Sequence, residues 1–206
     1  VYIDGNDISK VTLHSLREKM GIMMQDSFIF SGTIEDNIRY GKLDATEEEI
    51  RAAAKTVCAD EFIMGLENGY KTEMYEGGSQ LSGGQRQLVS FARTLVQLWH
   101  GRELMLLDEP FSALDSLTRI SMQDWLIGQV KGLDATVMMV THDVEEAMLV
   151  GNKIFLLSGR PVKQIKVIDV SHITCREDLY TPSSVELKNE LVRAFLTEKA
   201  ERGDNI

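Results

Sequence analysis

The 206-residue sequence predicts an α/β fold: a parallel sheet flanked by helices on both faces in three layers, with a helical segment inserted between its strands. Three observations carry this. Past Gly101 short apolar runs alternate with helical stretches, the signature of strand–helix–strand units. Those runs are apolar throughout, as strands covered on both faces must be. Between Phe28 and Leu98 the period is instead mostly helical.

In order along the chain, "VYIDGNDI" alternates apolar and polar residues and ends in turn chemistry at Asp4-Gly5-Asn6-Asp7, as a half-exposed strand does. "KMGIMMQD" is a short apolar run stopping at Gln25. Thr46 and Glu49 have capping-box spacing with acids in the first turn, so "EEEIRAAAKTVCADEFIMGL" continues as a helix. Ser82 stands three residues before Gln85 and caps a helix whose stripe is Leu88, Phe91, Ala92, Leu95 and Leu98. "LMLLDE", "TVMMVTHD" and "KIFLLSG" are strands separated by the helices "SLTRISMQDWLIGQV" and "VEEAMLVG", and "KQIKVIDV" is a last, more polar strand suited to an edge. The tail from Ser183 places Val185, Leu191, Val192 and Phe195 near one side of a helix, then ends in charges expected to fray. Met23-Met24 and Met138-Met139 read as core filling at strand positions.

Composition narrows the function. Basic residues number 22 against 32 acidic, a net charge of −10, which argues against a protein that recruits nucleic acid through its phosphates. Cys58 and Cys175 lack metal-ligand spacing and are expected to be reduced, structural thiols. His14, His100 and His172 also lack partners at ligand spacing. No apolar run approaches the roughly 20 residues that span a bilayer, so the chain reads as soluble. It starts within a strand-like pattern, without Met, and its natural N-terminus is expected upstream.

The residues that follow each apolar strand carry the chemistry, because in open parallel sheets ligands sit beyond the strands' carboxyl ends. These are Gln25, then Asp108 with Glu109, then Thr141 with His142. An amide, two carboxylates and an imidazole on one rim suit phosphoryl transfer to water: one acid for Mg²⁺ and its waters, a second to orient or deprotonate the attacking water, and donors for the γ-phosphate. The stretch "GGSQLSGGQRQ" adds an anion site. Gly83 and Gly84 at a helix start each cost about 1 kcal/mol relative to alanine, but they leave backbone N–H groups and the positive helix end open to phosphate.

"LSGGQRQ" at Leu81 to Gln87, "LMLLDEP", "SALD" at Ser112 to Asp115 and "VTHD" together resemble the nucleotide-binding domain of ATP-binding cassette (ABC) transporters, over almost the whole chain. The resemblance implies a P-loop NTPase, RecA-like core of residues 1–27 and 99–170, a helical signature subdomain of 28–98 and a C-terminal helical tail of 171–206. It implies Gln25 as the Q-loop glutamine near metal or water, and Ser82, Gly83, Gly84 and Gln85 as the signature on the γ-phosphate. Asp108 becomes the Walker B metal ligand, Glu109 the catalytic base, Asp115 the dimer-spanning D-loop residue and His142 the switch histidine. ATP and Mg²⁺ are the implied ligands. A second nucleotide-binding domain and a transmembrane partner docking on Gln25–Tyr40 are the implied partners, at the cytoplasmic face of the membrane.

Two departures shape these expectations. No G-x-x-x-x-G-K-[ST] loop occurs in the sequence, and in the family this loop belongs to a strand between those at Thr136–Val140 and Ile154–Leu157. The chain alone is therefore expected to be inactive, with Ser82 to Gln85 serving a neighbour's nucleotide. "MMQDSFIFSGTIEDNIRYG" and "EGGSQLSGGQRQLVSFART" look like exporter cassettes, whereas "LLDEPFSALDSLTR" and "VTHDVEEAMLVGNKIFLLSGRP" look like nitrate or sulfonate importers. Two alternatives stand beside the transporter: a non-catalytic cassette lending its signature to a partner, and a soluble cassette ATPase of translation or repair. The latter needs basic surfaces or a coiled-coil insertion, and neither is seen.

Overall fold

A computed structural model describes residues 1–3, 5–99, 104–130, 136–159, 161–162 and 164–202. Asp4 of the expected turn, His100, Lys163 of the last expected strand and the charged end past residue 202 lie outside the described residues. The chain divides into two compact units, Val1–Val140 and Thr141–Ile206.

The first unit opens with an antiparallel hairpin of β1 (Tyr2–Ile3) and β2 (Asn6–Asp7), so the expected first strand turns back on itself. After α1 (Leu13–Glu18), capped by the Thr12 hydroxyl, comes β3 (Met20–Met23). A helical stretch follows, as its period predicted: α2 (Ile34–Arg39), α3 (Glu47–Thr56), α4 (Asp60–Met64) and α5 (Gly83–Trp99). It also holds a short antiparallel pair, β4 (Gly32–Thr33) with β5 (Glu73–Met74). Then come β6 (Leu104–Asp108), α6 (Ser116–Val130) and β7 (Thr136–Val140).

β3, β6 and β7 form a parallel sheet in that order. Register places Ile22, Leu106 and Met138 on one face and Met23, Leu107 and Met139 on the other. The second face is the covered one: Met23, Met105 and Leu107 are buried, and Gly21 leaves room for Thr94 and Gln97 of α5. Phe91 of α5 stacks with Phe111 and meets Trp125 of α6 edge-on, which joins both helices in one core. The methionine pairs thus divide by strand alternation, with Met23 in the core but Met24 and Met138 at 66% and 59% exposure.

Thr46 and Glu49 form the expected capping box, and Thr33 with Asp36 forms a second one at the start of α2. On α2 Glu35 is buried and ion-paired with Arg39 and, at 2.8 Å, Lys71. Burial pushes this carboxyl up, but hydrogen bonds from Lys71 and then Arg39, with their charges, together hold it below the ordinary range. A carboxyl lowered by folding stabilises above its unfolded pKa, and that stability disappears as pH falls through the folded value. Thermal midpoints should therefore decline below about pH 4.5, and Glu35→Gln should flatten the decline in a pH series of melting curves.

The second unit comprises α7 (Val144–Val150), β8 (Lys153–Ser158), β9 (Gln164–Asp169), a short 3-10 turn (Arg176–Tyr180) and α8 (Pro182–Arg202). The sequence pattern predicts β8 in the parallel sheet and β9 at its edge. Among the described residues β8 pairs with β9, antiparallel, from Lys153↔Asp169 to Ser158↔Gln164. The connection after Ser158 is too short for a parallel crossover, which needs a dozen residues or more. On α8 Leu191 is buried but Val185 is 42% exposed, and Ser184 turns inward in its place, hydrogen-bonded to Thr181. Both cysteines are free and exposed, so they are not core residues.

Candidate functional site

Gln25 lies two residues past β3, and Asp108 closes the neighbouring β6. The register Met23↔Leu107↔Met139 sets the ends of β3, β6 and β7 level. Gln25, Asp108 and Glu109 therefore leave adjacent parallel strands on one rim, Gln25 exposed and the two carboxylates half-buried.

Glu109 has φ +49, a left-handed backbone that is uncommon for a residue with a Cβ. Its main chain is tied down on both sides. Its N–H donates to the Val140 carbonyl of β7 at 2.9 Å. Its carbonyl accepts from Gln87 Nε2 at 2.9 Å and from the Ser112 hydroxyl at 3.0 Å. Such strain persists only where surroundings over-determine it, and it clusters at functional sites.

The glycine-rich helix start is a surface feature. Ser82 Oγ accepts from Gln85 N–H at 3.2 Å, and Gln85 Oε1 accepts from Ser82 N–H at 2.9 Å, a reciprocal cap. Part of the Gln85 amide is thus spent on holding its own helix start. Gly84 is required for a tertiary reason too, since a Cβ there would sit 2.9 Å from the Ala113 carbonyl oxygen. Upstream, Gly78 has φ +62 and a Cβ would land 2.7 Å from Ile29, which fixes glycine at that turn.

Ser82, Gly83, Gly84 and Gln85 line an open cleft of about 680 Å³ together with Asp115, Cys58 and Glu61. Asp115 caps α6: Oδ1 accepts from the N–H groups of Leu117 and Thr118, and Oδ2 from the Thr118 hydroxyl at 2.6 Å. The Thr118 hydroxyl and then its N–H hold this carboxyl below the ordinary range. The residue expected to span a dimer is thus also an anchor of its own helix.

His142 follows β7 by two residues and belongs to the second unit, where it is exposed. The residues beside it are fixed to the start of α7. Asp143 Oδ1 accepts from Glu145 and Glu146 N–H, and Thr141 Oγ1 donates to Glu146 Oε2 at 2.8 Å.

Gln87 and Arg93 are functional residues that the sequence signals only weakly. Both were visible only as polar residues on a helix rich in buried apolar ones. Among the described residues no cluster of three or more His, Cys, Asp or Glu could hold a metal alone. One carboxylate and one amide at a strand-end rim suit Mg²⁺, which keeps waters and relies on substrate phosphates for the rest of its shell. Among the described residues no helix is long and apolar enough to cross a membrane.

Residues 1–112 match the family model described as ABC transporter. The uncharacterized ABC transporter ATP-binding proteins YfiC and YknV of Bacillus subtilis are 39% and 42% identical over 164 residues, 80% of this chain and 26% of each protein. ABC transporter B family member 19 of Arabidopsis thaliana is 41% identical over 164 residues, 80% of this chain and 13% of that protein. A bacterial Atm1-family ABC exporter solved with ATP bound matches at a TM-score of 0.69 and 38% identity, over 75% of this chain and 26% of its own. The chain thus spans about a quarter of the length of the bacterial relatives.

Proposed function

The chain belongs to the ABC transporter family, as an ATP-binding domain, and from that premise we propose that it works in a transporter of exporter organisation, coupling ATP hydrolysis at a dimer interface to transport. The observation that carries this is the level rim of Gln25, Asp108 and Glu109 on adjacent strands, beside a glycine-lined helix start that opens on a surface cleft. The exporter-like first half and the likeness to an exporter support the direction. A second nucleotide-binding domain faces the cleft, and a transmembrane partner docks on residues 25–40. There Phe28 and Tyr40 are exposed at 47% and 57% and flank Phe30 in one aromatic cluster. The chain is thereby held at the cytoplasmic face of the membrane.

In this reading Glu109 takes the proton of the water that attacks the γ-phosphorus, and its fixed main chain limits where the carboxylate can reach. Asp108 and Gln25 would hold Mg²⁺. Bound Mg²⁺ neutralises phosphate charge. His142, on a turn pinned at both flanks, steadies the γ-phosphate. Ser82, Gly83 and Gly84 offer hydroxyl and backbone donors to the phosphates bound by the facing domain. Asp115 and Gln85 hold the two helix starts that frame the cleft. Within the proposal, residues 1–27 and 99–170 are assigned to a core, 28–98 to a signature subdomain and 171–206 to a tail.

Mixing separates this reading from its alternatives. The 206-residue chain by itself should show no steady ATP turnover, because it contains no G-x-x-x-x-G-K-[ST] cradle for the β- and γ-phosphates. Adding it to an intact exporter cassette should raise that cassette's turnover, and Ser82→Arg should cut the gain about tenfold or more by filling the phosphate side of the cleft. A gain untouched by Ser82→Arg would refute donation from this cleft.

A further inference from the structure

Gln87 is 1% exposed on the buried side of α5, among residues such as Leu88 and Phe91. A buried amide is costly unless both its ends are satisfied. Both are: Nε2 donates to the Glu109 carbonyl at 2.9 Å, and Oε1 accepts from the Ala113 N–H at 2.9 Å. A backbone carbonyl can only accept and a backbone N–H can only donate, so the primary amide, with one donor end and one acceptor end, matches this pair as an ionised carboxylate or an apolar side chain cannot. The amide straps the two ends of the turn that starts at Glu109 and leads to Asp115.

We propose that Gln87 is a positioning residue for Glu109, fixing the carboxylate through its backbone and tying it to the signature helix; this rests on the reading of Glu109 given above. A left-handed backbone is unfavourable for a residue with a Cβ. Without its carbonyl partners, Glu109 would relax to negative φ and carry its side chain away. The Ser112 hydroxyl that also reaches this carbonyl belongs to the same turn and moves with it. Gln87 comes from outside the turn and is the partner of this carbonyl that does not, as the Val140 carbonyl of β7 is for the Glu109 N–H. One helical turn earlier, Gly84 lies against the Ala113 carbonyl with no room for a methyl group.

The test uses the assembled transporter carrying Gln87→Glu or Gln87→Met. The first loses the donor but keeps the acceptor for Ala113, and the second keeps length and loses both. The expected result for both is a fall in kcat, per folded molecule, of about 10- to 100-fold, the scale of a roughly ångström-sized misplacement, with KM for ATP within about twofold. In the 206-residue chain, exchange of the Ala113 amide should accelerate in Gln87→Met and much less in Gln87→Glu. Unchanged kcat in both variants while Glu109→Gln abolishes turnover overturns the strap alone. A loss of kcat that tracks loss of folded protein, with Ala113 exchange equal in the two variants, also overturns it. Full turnover in Glu109→Gln overturns the strap together with the reading beneath it.

Discussion

Glu109→Gln in the assembled transporter is expected to lower steady ATP turnover by at least about 100-fold, within the range a positioned general base supplies, while nucleotide still binds. The carboxylate follows β6 at the level where β3 also ends, and its main chain is fixed by Val140, Gln87 and Ser112. The amide keeps size and shape, so the backbone bonds and the left-handed conformation remain, and only the proton acceptor is lost. Binding should be preserved because the phosphates are held by other groups. Steady-state hydrolysis together with equilibrium ATP binding checks both halves. Turnover within a few-fold of the parent would remove Glu109 from the role of base.

Arg93→Met is expected to destabilise the first unit by about 3 kcal/mol, since hydrogen bonds to a charged group are worth about 1.5–3 kcal/mol each and their loss leaves acceptors stranded. Arg93 sends Nε to the Asn37 carbonyl at 2.8 Å, one terminal nitrogen to the Phe28 carbonyl at 3.1 Å and the other to Asn37 Oδ1 at 3.0 Å. Its guanidinium also lies 5.0 Å from the centre of the Phe30 ring. Asn37 in turn is 2% exposed and holds Phe30 and Thr33 through their carbonyls. Burial pushes the guanidinium down to about 10, so it remains charged at neutral pH. Removing it strands polar groups of residues 28–37, the segment proposed to meet the membrane partner. Melting curves should fall by about 6–12 °C on the scale for a domain of this size. Arg93→Lys should recover less than half, because one ammonium cannot reproduce a planar fork. A loss below about 1 kcal/mol in urea unfolding would show these bonds to be replaceable by water.

The two predictions differ in how far the sequence foreshadowed them. Glu109 stood out because it follows a short apolar run and neighbours Asp108, a pattern set by residues adjacent in the chain. The same holds for the cap at Ser82, the capping box at Thr46 and the helical period of the signature segment. Arg93 and Gln87 gave only a weak signal, a polar residue where a helix is otherwise apolar, and the chain alone did not say which carbonyls they meet. The resemblance gives Asp115 a role across a dimer, and its spacing to Leu117 and Thr118 is also that of a helix cap.

By itself the sequence determined the α/β class, the succession of strands and helices, the polar residues at the strand ends and the glycine-lined helix start. These follow from side-chain periodicity and local capping, which act over three or four residues. Only the tertiary structure decided the left-handed backbone at Glu109, its bond to an amide 22 positions earlier, the reach of Arg93 to a carbonyl 65 positions away, and the pairing of β8 with β9. Those depend on which distant backbone groups are left needing a partner once the elements pack. A buried carbonyl or N–H takes the donor or acceptor that the assembled fold brings within about 3 Å.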